Sequence, residues 1–206
     1  HSVTSPLSVI ISAFAPVLDV RKTVTPDLKS GEPGSQLILL DLGQGKNRLG
    51  ASALAQVYQQ TGDVCPDLDD PELFKSFFKA IQILLEKEAI LAYHDRSDGG
   101  LLTTLCEMAF AGRQGVSCDV SNLGSDVLSV LFAEELGAVI QVSQSKLELV
   151  EDTLLEHGLA AISHAIGQPE DSESFIINYL GDFIINDSIV DLKRAWSETS
   201  YQMQKL

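Results

Sequence analysis

Basic residues are scarce in this chain: 14 Lys and Arg stand against 29 Asp and Glu in 206 residues, a formal charge of −15. Such a field repels a phosphodiester backbone, and no Lys/Arg cluster with interleaved aromatics offsets it, so no nucleic acid is expected as a partner. A free nucleotide meets the same repulsion, and a phosphate site here therefore needs a bound cation or focused backbone amides. Long apolar runs are also missing. The longest, such as residues 7–17, are interrupted by Ser and Pro and fall short of the roughly 18–20 residues that span a bilayer, so no membrane partner is expected. Cysteine is sparse: Cys65, Cys106 and Cys118 leave an odd one over and show no CxxC spacing, which argues against a disulfide framework or a zinc cluster. A reduced, cytoplasmic protein is the expectation. The chain opens at His1 without the basic start, apolar run and small-residue cleavage pattern of a signal peptide. It reads as a piece excised from a longer protein. There is no internal repeat, low-complexity tract or convincing linker, so residues 1–206 are expected to form one domain.

What is present suffices for a sizeable core, with 45% hydrophobic and 21% charged residues. Residues 7–20, rich in Val, Ile and Phe, and the apolar run 36–42 are predicted as strands, with a Pro/Gly/Ser loop at 26–33 between them. Asp70 before Pro71 predicts a capped helix that places Phe74, Phe77, Phe78, Ile81, Leu84 and Leu85 on one face. A short strand at 91–93 and an apolar helix at 101–110 follow. A strand at 137–143 precedes a helix whose capping box would be Ser145 with Glu148 and whose end is Gly158. Strands are predicted at 160–166, 174–180 and 183–186, the last two a hairpin turning near Gly181 and Asp182. A closing helix spaces Ile189, Leu192, Trp196, Thr199 and Met203 three or four apart. Crossovers and hairpins together favour a layered α+β fold with a mixed sheet.

The segment HDRSDGG, residues 94–100, follows a strand and opens a helix. Unpaired amides at a helix N-terminus suit phosphate oxygens, and Gly99 and Gly100 permit close approach of a ligand. Asp95 and Asp98 would repel that phosphate unless magnesium, held by one carboxylate, bridged to it. Equally, Ser97 or Asp98 caps the helix and the glycines only make the turn. The loop DLGQGKNRLGASALA, residues 41–55, satisfies neither the dinucleotide fingerprint nor the Walker pattern. It reads as an ordinary loop, although Lys46 and Arg48 are available to an anion. Glu134 and Glu135 form either a ligand-facing pair or, the favoured alternative, a solvated acidic turn. His157 is expected near a helix end and His164 in a strand, neither with a metal-ligand spacing. Cys106 is expected in the core, and no residue is assigned as nucleophile.

The stretch HDRSDGGLLTTLCEMAFAGRQG resembles the C-terminal type of subdomain in a superfamily that includes aminoimidazole ribonucleotide synthetase, selenophosphate synthetase, thiamine-monophosphate kinase and a hydrogenase maturation protein. Four further stretches narrow the likeness: SVTSPLSVIISAFAPVLDVRKTVTPDL, DLGQGKNRLGASALAQVY, LFAEELGAVIQV and RAWSETSYQMQKL. Together they resemble the second half of the synthetase region in the large single-chain phosphoribosylformylglycinamidine synthase family of bacteria. The resemblance covers nearly the whole chain. It implies a mixed β-sheet with helices on both faces, like the C-terminal domain of aminoimidazole ribonucleotide synthetase. It implies an enzyme that uses ATP and glutamine-derived ammonia to convert formylglycinamide ribonucleotide to formylglycinamidine ribonucleotide in purine biosynthesis. The implied cofactors are Mg2+ and ATP or ADP, with magnesium at Asp95 and nucleotide contact at Ser97. The implied partners are the remaining subdomains of the same polypeptide, including a glutaminase domain that carries its own cysteine nucleophile. No catalytic residue falls on this chain, which alone is expected to be inactive. The site belongs either to the catalytic nucleotide or to a structural one that braces the assembly. A sister kinase or synthetase of the superfamily is the third alternative.

Overall fold

Strand β1, Gln36–Asp41, is buried along almost its whole length because it runs through the middle of the structure. Its side chains alternate between two cores, as the period of two in a strand requires. Leu37 and Leu39 join one cluster, and Ile38 and Leu40 join the other. A strand covered on both faces reads as a continuous apolar run, which is why QLILL was legible as a strand.

The computed structural model describes residues 10–17 and 19–205. Around β1 the chain adds β2 (Ala92–Asp95), β3 (Gly115–Asp119), β4 (Gly137–Val142), β5 (Ser163–Glu170), β6 (Ser174–Tyr179) and β7 (Asp182–Ser188). They form one seven-stranded sheet in the order β2-β4-β1-β5-β3-β6-β7. Every pairing is antiparallel except β3 with β6, which is parallel, so the sheet is mixed.

Helices cover both faces. Among the described residues they are α1 (Ala53–Val57), α2 (Pro71–Glu86), α3 (Gly100–Gly112), α4 (Val127–Phe132), α5 (Leu147–Glu156) and α6 (Ile189–Met203). Leu101, Leu105 and Met108 of α3, Val130 and Leu131 of α4 and Ile189 of α6 pack with Leu37, Leu39, Val139 and Phe175 on one face. Phe77, Ile81 and Leu84 of α2 and Val150 and Leu154 of α5 pack with Ile38, Leu40 and Ile140 on the other. The expected α+β architecture, a layered mixed sheet with helices on both faces, is therefore the observed one. Among the described residues no helix is long and apolar enough to cross a membrane.

Four local expectations are corrected. The strand expected at 7–20 is not formed: residues 10–17 and 19 have no regular structure, Val20–Lys22 is a short 3-10 turn, and positions 7–9 and 18 lie outside the described residues. Strand propensity needs a partner ladder, and among the described residues the adjacent edge of β2 makes one backbone bond on this side, Tyr93 N–H donating to the Thr25 carbonyl at 3.1 Å. The capping box at Ser145 is also absent. Gln144–Lys146 forms a 3-10 turn, Ser145 Oγ meets Ser143 Oγ at 3.1 Å, and α5 starts without a side-chain cap. Residues 160–162 form another 3-10 turn, so that strand begins at Ser163. Finally, Phe78 on α2 is 59% exposed although it lies on the expected apolar face.

Candidate functional site

Segment 93–98 leaves the sheet at its β2 edge, and strand alternation sends successive side chains in different directions. Tyr93 packs toward the α2 and α5 layer, and its hydroxyl donates to Asp95 Oδ1 at 2.6 Å, so both side chains share that face. Burial pushes the Tyr93 phenol well above its ordinary pKa, and the neighbouring Asp95 carboxylate pushes it further. His94 turns to the opposite layer, where Nε2 meets Glu107 Oε2 of α3 at 2.9 Å; Glu107 Oε1 also accepts from Trp196 Nε1 of α6 at 3.2 Å.

Arg96 is only 5% exposed. Its guanidinium donates to the Glu135 carbonyl at 2.7 Å, the Leu136 carbonyl at 3.0 Å and the Asp41 carboxylate. Ser97 and Asp98 return to solvent. Asp95 is likewise exposed, so the two residues expected to meet magnesium and nucleotide both stand outward from this turn.

The α3 N-terminus is arranged differently from either expectation. Gly99 is its N-cap, in a left-handed conformation with φ of 83°, and neither Ser97 nor Asp98 supplies a side-chain cap. An added Cβ there would lie 2.1 Å from Thr103 Oγ1, and one on Gly100 would lie 2.7 Å from the Leu131 carbonyl oxygen, so both positions need glycine. Glu134 fills the capping role: its Oε1 accepts Gly99 N–H at 2.9 Å and Ala53 N–H at 2.7 Å. One carboxylate thus satisfies donors at the starts of both α3 and α1, where helix ends leave amides unpaired.

Glu135 is fully buried and grips Arg48 with both oxygens, at 2.7 Å from Nε and 2.7 Å from Nη2. Asp69 holds the same guanidinium at 2.7 Å and also Lys46 at 2.9 Å. Hydrogen bonding to Glu135 is the main reason that the Arg48 pKa is raised. Asp41 completes the brace by accepting Gly43 N–H at 3.1 Å and Gly45 N–H at 2.7 Å. The expectation of a solvated acidic turn at Glu134 and Glu135 is therefore overturned, and Arg48 is not free to meet an anion. Reading HDRSD by alternation, with every second polar residue inward, is the signal that would have found Arg96; nothing local pointed to its partners.

The other candidates are placed simply. His157 Nδ1 meets the Thr153 carbonyl oxygen at 2.8 Å at the end of α5, and His164 lies in β5 opposite Leu39. Cys106 and Cys118 are buried, which pushes both thiols up to about 12, while Cys65 is exposed.

Among the described residues no group of three or more His, Cys, Asp and Glu side chains converges as a metal cluster. Asp95 offers a single outward carboxylate, with one oxygen bonded to Tyr93. That donor set suits magnesium, which is commonly held by one or two carboxylates, with phosphate and water completing the octahedron. Asp95 also lines a groove of about 720 Å³ between α2 and the segment that precedes β1.

Solved structures share this architecture. Thermotoga maritima PurL complexed with ATP superposes with a TM-score of 0.62 at 16% identity, covering 83% of this chain and 27% of that one. T. maritima PurL complexed with FGAR gives 0.64 at 17% identity, covering 84% and 30%. A hydrogenase maturation protein, HypE, in complex with ATP gives 0.57 at 17% identity, covering 82% and 54%. The chain thus spans under a third of the PurL chains that it matches. At these identities the likeness carries the fold alone. A sequence-family match covers residues 32–179, from the turn before β1 to the end of β6. With that span matched and its mixed sheet shared by these structures, the chain belongs to the family described as AIR synthase related protein, C-terminal domain.

Proposed function

We propose that this chain is one subdomain of the synthetase region of a phosphoribosylformylglycinamidine synthase and that it lends Asp95 and Ser97 to a magnesium-nucleotide site. One observation carries this: in a turn whose Arg96 is consumed internally, and whose neighbours Asp41, Glu134 and Glu135 are consumed with it, Asp95, Ser97 and Asp98 remain turned to solvent, and the family motif falls on the first two. The PurL structures complexed with ATP, ADP and FGAR support it by family likeness.

Asp95 would be the protein ligand of magnesium, and the Ser97 hydroxyl would donate to a nucleotide oxygen. When bound, the cation neutralises phosphate oxygens against the acidic field of the chain. Tyr93 fixes the rotamer of Asp95 by donating to Oδ1, which leaves the second oxygen free of it. Arg96 anchors the turn from beneath, so the backbone that carries both side chains is already in place. In the proposed reaction ATP phosphorylates the amide oxygen of formylglycinamide ribonucleotide, and ammonia then displaces phosphate. The companion subdomains would supply the remaining ligands and the glutaminase domain the ammonia. No residue of this chain is assigned to bond making or breaking.

The test is Asp95→Asn in the complete native protein, with Mg-ADP affinity and ammonia-dependent amidine formation both measured. Affinity should fall at least about tenfold, because an amide keeps the shape and lacks the charge that a hard cation requires. If the site is the catalytic one, turnover should fall by orders of magnitude. If the nucleotide is a structural brace, melting temperature should drop while low-temperature turnover changes little. Unchanged affinity, turnover and melting temperature would remove Asp95 from any nucleotide site.

A further inference from the structure

The loop between β1 and α1, residues 43–52, is held in a costly backbone conformation. Gln44, Asn47 and Ala51 adopt left-handed φ angles of 54°, 47° and 59°. Asn tolerates that region, whereas the Cβ of Gln or Ala crowds its own backbone there. Such residues persist where the surrounding structure over-determines them. Gln44 and Ala51 are exposed, so burial of their side chains does not fix the loop.

Three acidic residues hold the loop, and each holds the turn that carries Asp95 and Ser97 as well. Asp41 accepts Gly43 N–H at 3.1 Å and Gly45 N–H at 2.7 Å, and it pairs with Arg96 of the turn. Glu135 accepts Arg48 N–H at 3.0 Å and grips the Arg48 guanidinium, while its backbone carbonyl accepts Arg96 Nε at 2.7 Å. Glu134 accepts Ala53 N–H at the end of the loop and Gly99 N–H at the end of the turn. Gly43 packs so closely on Glu135 that an added Cβ would lie 2.7 Å from its side chain.

Burial makes this bridging all-or-none. Arg96, Asp41 and Glu135 are 5%, 4% and 0% exposed. If the loop opened alone, Glu135 would keep a buried carboxylate without Arg48; if the turn moved alone, Asp41 would keep one without Arg96. Either half-open state strands a buried charge, which is strongly disfavoured. We propose that loop 43–52 and turn 95–99 form one two-state unit, so that magnesium-nucleotide at the turn and the left-handed form of the loop stabilise each other. This rests on the assignment of Asp95 and Ser97 to a magnesium-nucleotide site, and it gives that site a regulatory output on the loop, where Lys46 is exposed. By reciprocity, whatever packs on the loop changes nucleotide affinity by the same factor.

The test is hydrogen exchange of the complete native protein with and without Mg-ADP, read by mass spectrometry on peptides covering residues 43–53 and 96–100. Residues 182–188 in β7, at the far edge of the sheet from β2, are the control. With Mg-ADP at a hundred times its Kd, exchange at 43–53 should slow in step with 96–100, by up to about a hundredfold, because opening of either segment then has to release the ligand. The control should change by less than about twofold. Protection of 96–100 without protection of 43–53 overturns the unit and leaves the nucleotide site standing. A second arm needs no ligand: Gln44→Gly combined with Ala51→Gly relieves the left-handed strain at two exposed positions and leaves the bridges untouched. Exchange should slow by about threefold or more at 96–100 as well as at 43–53. Unchanged or faster exchange at 96–100 overturns the unit. If Mg-ADP does not bind, or binds without protecting 96–100, the nucleotide assignment is overturned, and the double variant alone decides whether loop and turn open together.

Discussion

Arg96 and Asp41 are the clearest case of one residue deciding what its neighbours do. Both are nearly buried, and the guanidinium also satisfies the backbone carbonyls of Glu135 and Leu136, in the segment that leads into β4. Removing one partner of such a pair leaves an uncompensated buried charge, at a cost of about 3–5 kcal/mol. Arg96→Ala should therefore lower the urea midpoint steeply and loosen the turn that carries Asp95 and Ser97. A loss below about 1 kcal/mol, the scale of a surface pair, would show that the pair is not an anchor. The buried thiols lead to a second expectation. Cys106 and Cys118 are pushed up to about 12 by burial, and Tyr93 shifts in the same direction. The folded chain then keeps protons that the unfolded chain releases above roughly pH 8.5, so this stability is complete below that pH and lost as pH rises toward the folded value. Denaturant midpoints should fall between about pH 8 and pH 11, and Cys118→Val should flatten that slope. The same slope in Cys118→Val would contradict the assignment to Cys118.

At the scale of elements, Glu134 ties the starts of α1 and α3 together through two amides. Glu134→Ala should leave both donors without a partner, costing about 2 kcal/mol in this half-buried setting. The amides of Gly99 and Ala53 should exchange faster together, and Glu134→Gln, which keeps an acceptor oxygen, should recover part of the protection. Independent exchange of the two amides would contradict the coupling. The elements themselves were legible where pattern and context agreed. The α2 cap at Asp70 with Pro71, the two-faced burial of β1, the β6–β7 hairpin and the end of α5 at Gly158 all follow local rules. Strand β3, GVSCD, carried no readable period because five residues with a small polar one in the middle give too short a pattern. The segment at 10–17 failed for the reverse reason, a strong strand composition with no ladder to join. In the site, the HDRSDGG turn was legible from its strand-turn-helix context. The pairings of Arg96 with Asp41, Arg48 with Glu135 and Gly99 with Glu134 were not, because each spans 35 or more residues of sequence.

For the whole molecule, the arrangement places an outward carboxylate and hydroxyl at one end of a two-faced sheet, above an apolar groove and within a strongly acidic surface field. Such a field opposes nucleotide binding by this chain alone, and the neutralising cation has to come with the ligand. The central claim is that this cation touches Asp95. It is tested most directly by a crystal structure of the complete native protein grown with ADP and manganese in place of magnesium, with the anomalous signal of the metal located. An anomalous peak at a direct coordination distance of about 2 Å from the Asp95 carboxylate is the expected result. A fully occupied metal-nucleotide that leaves Asp95 facing only solvent would contradict it.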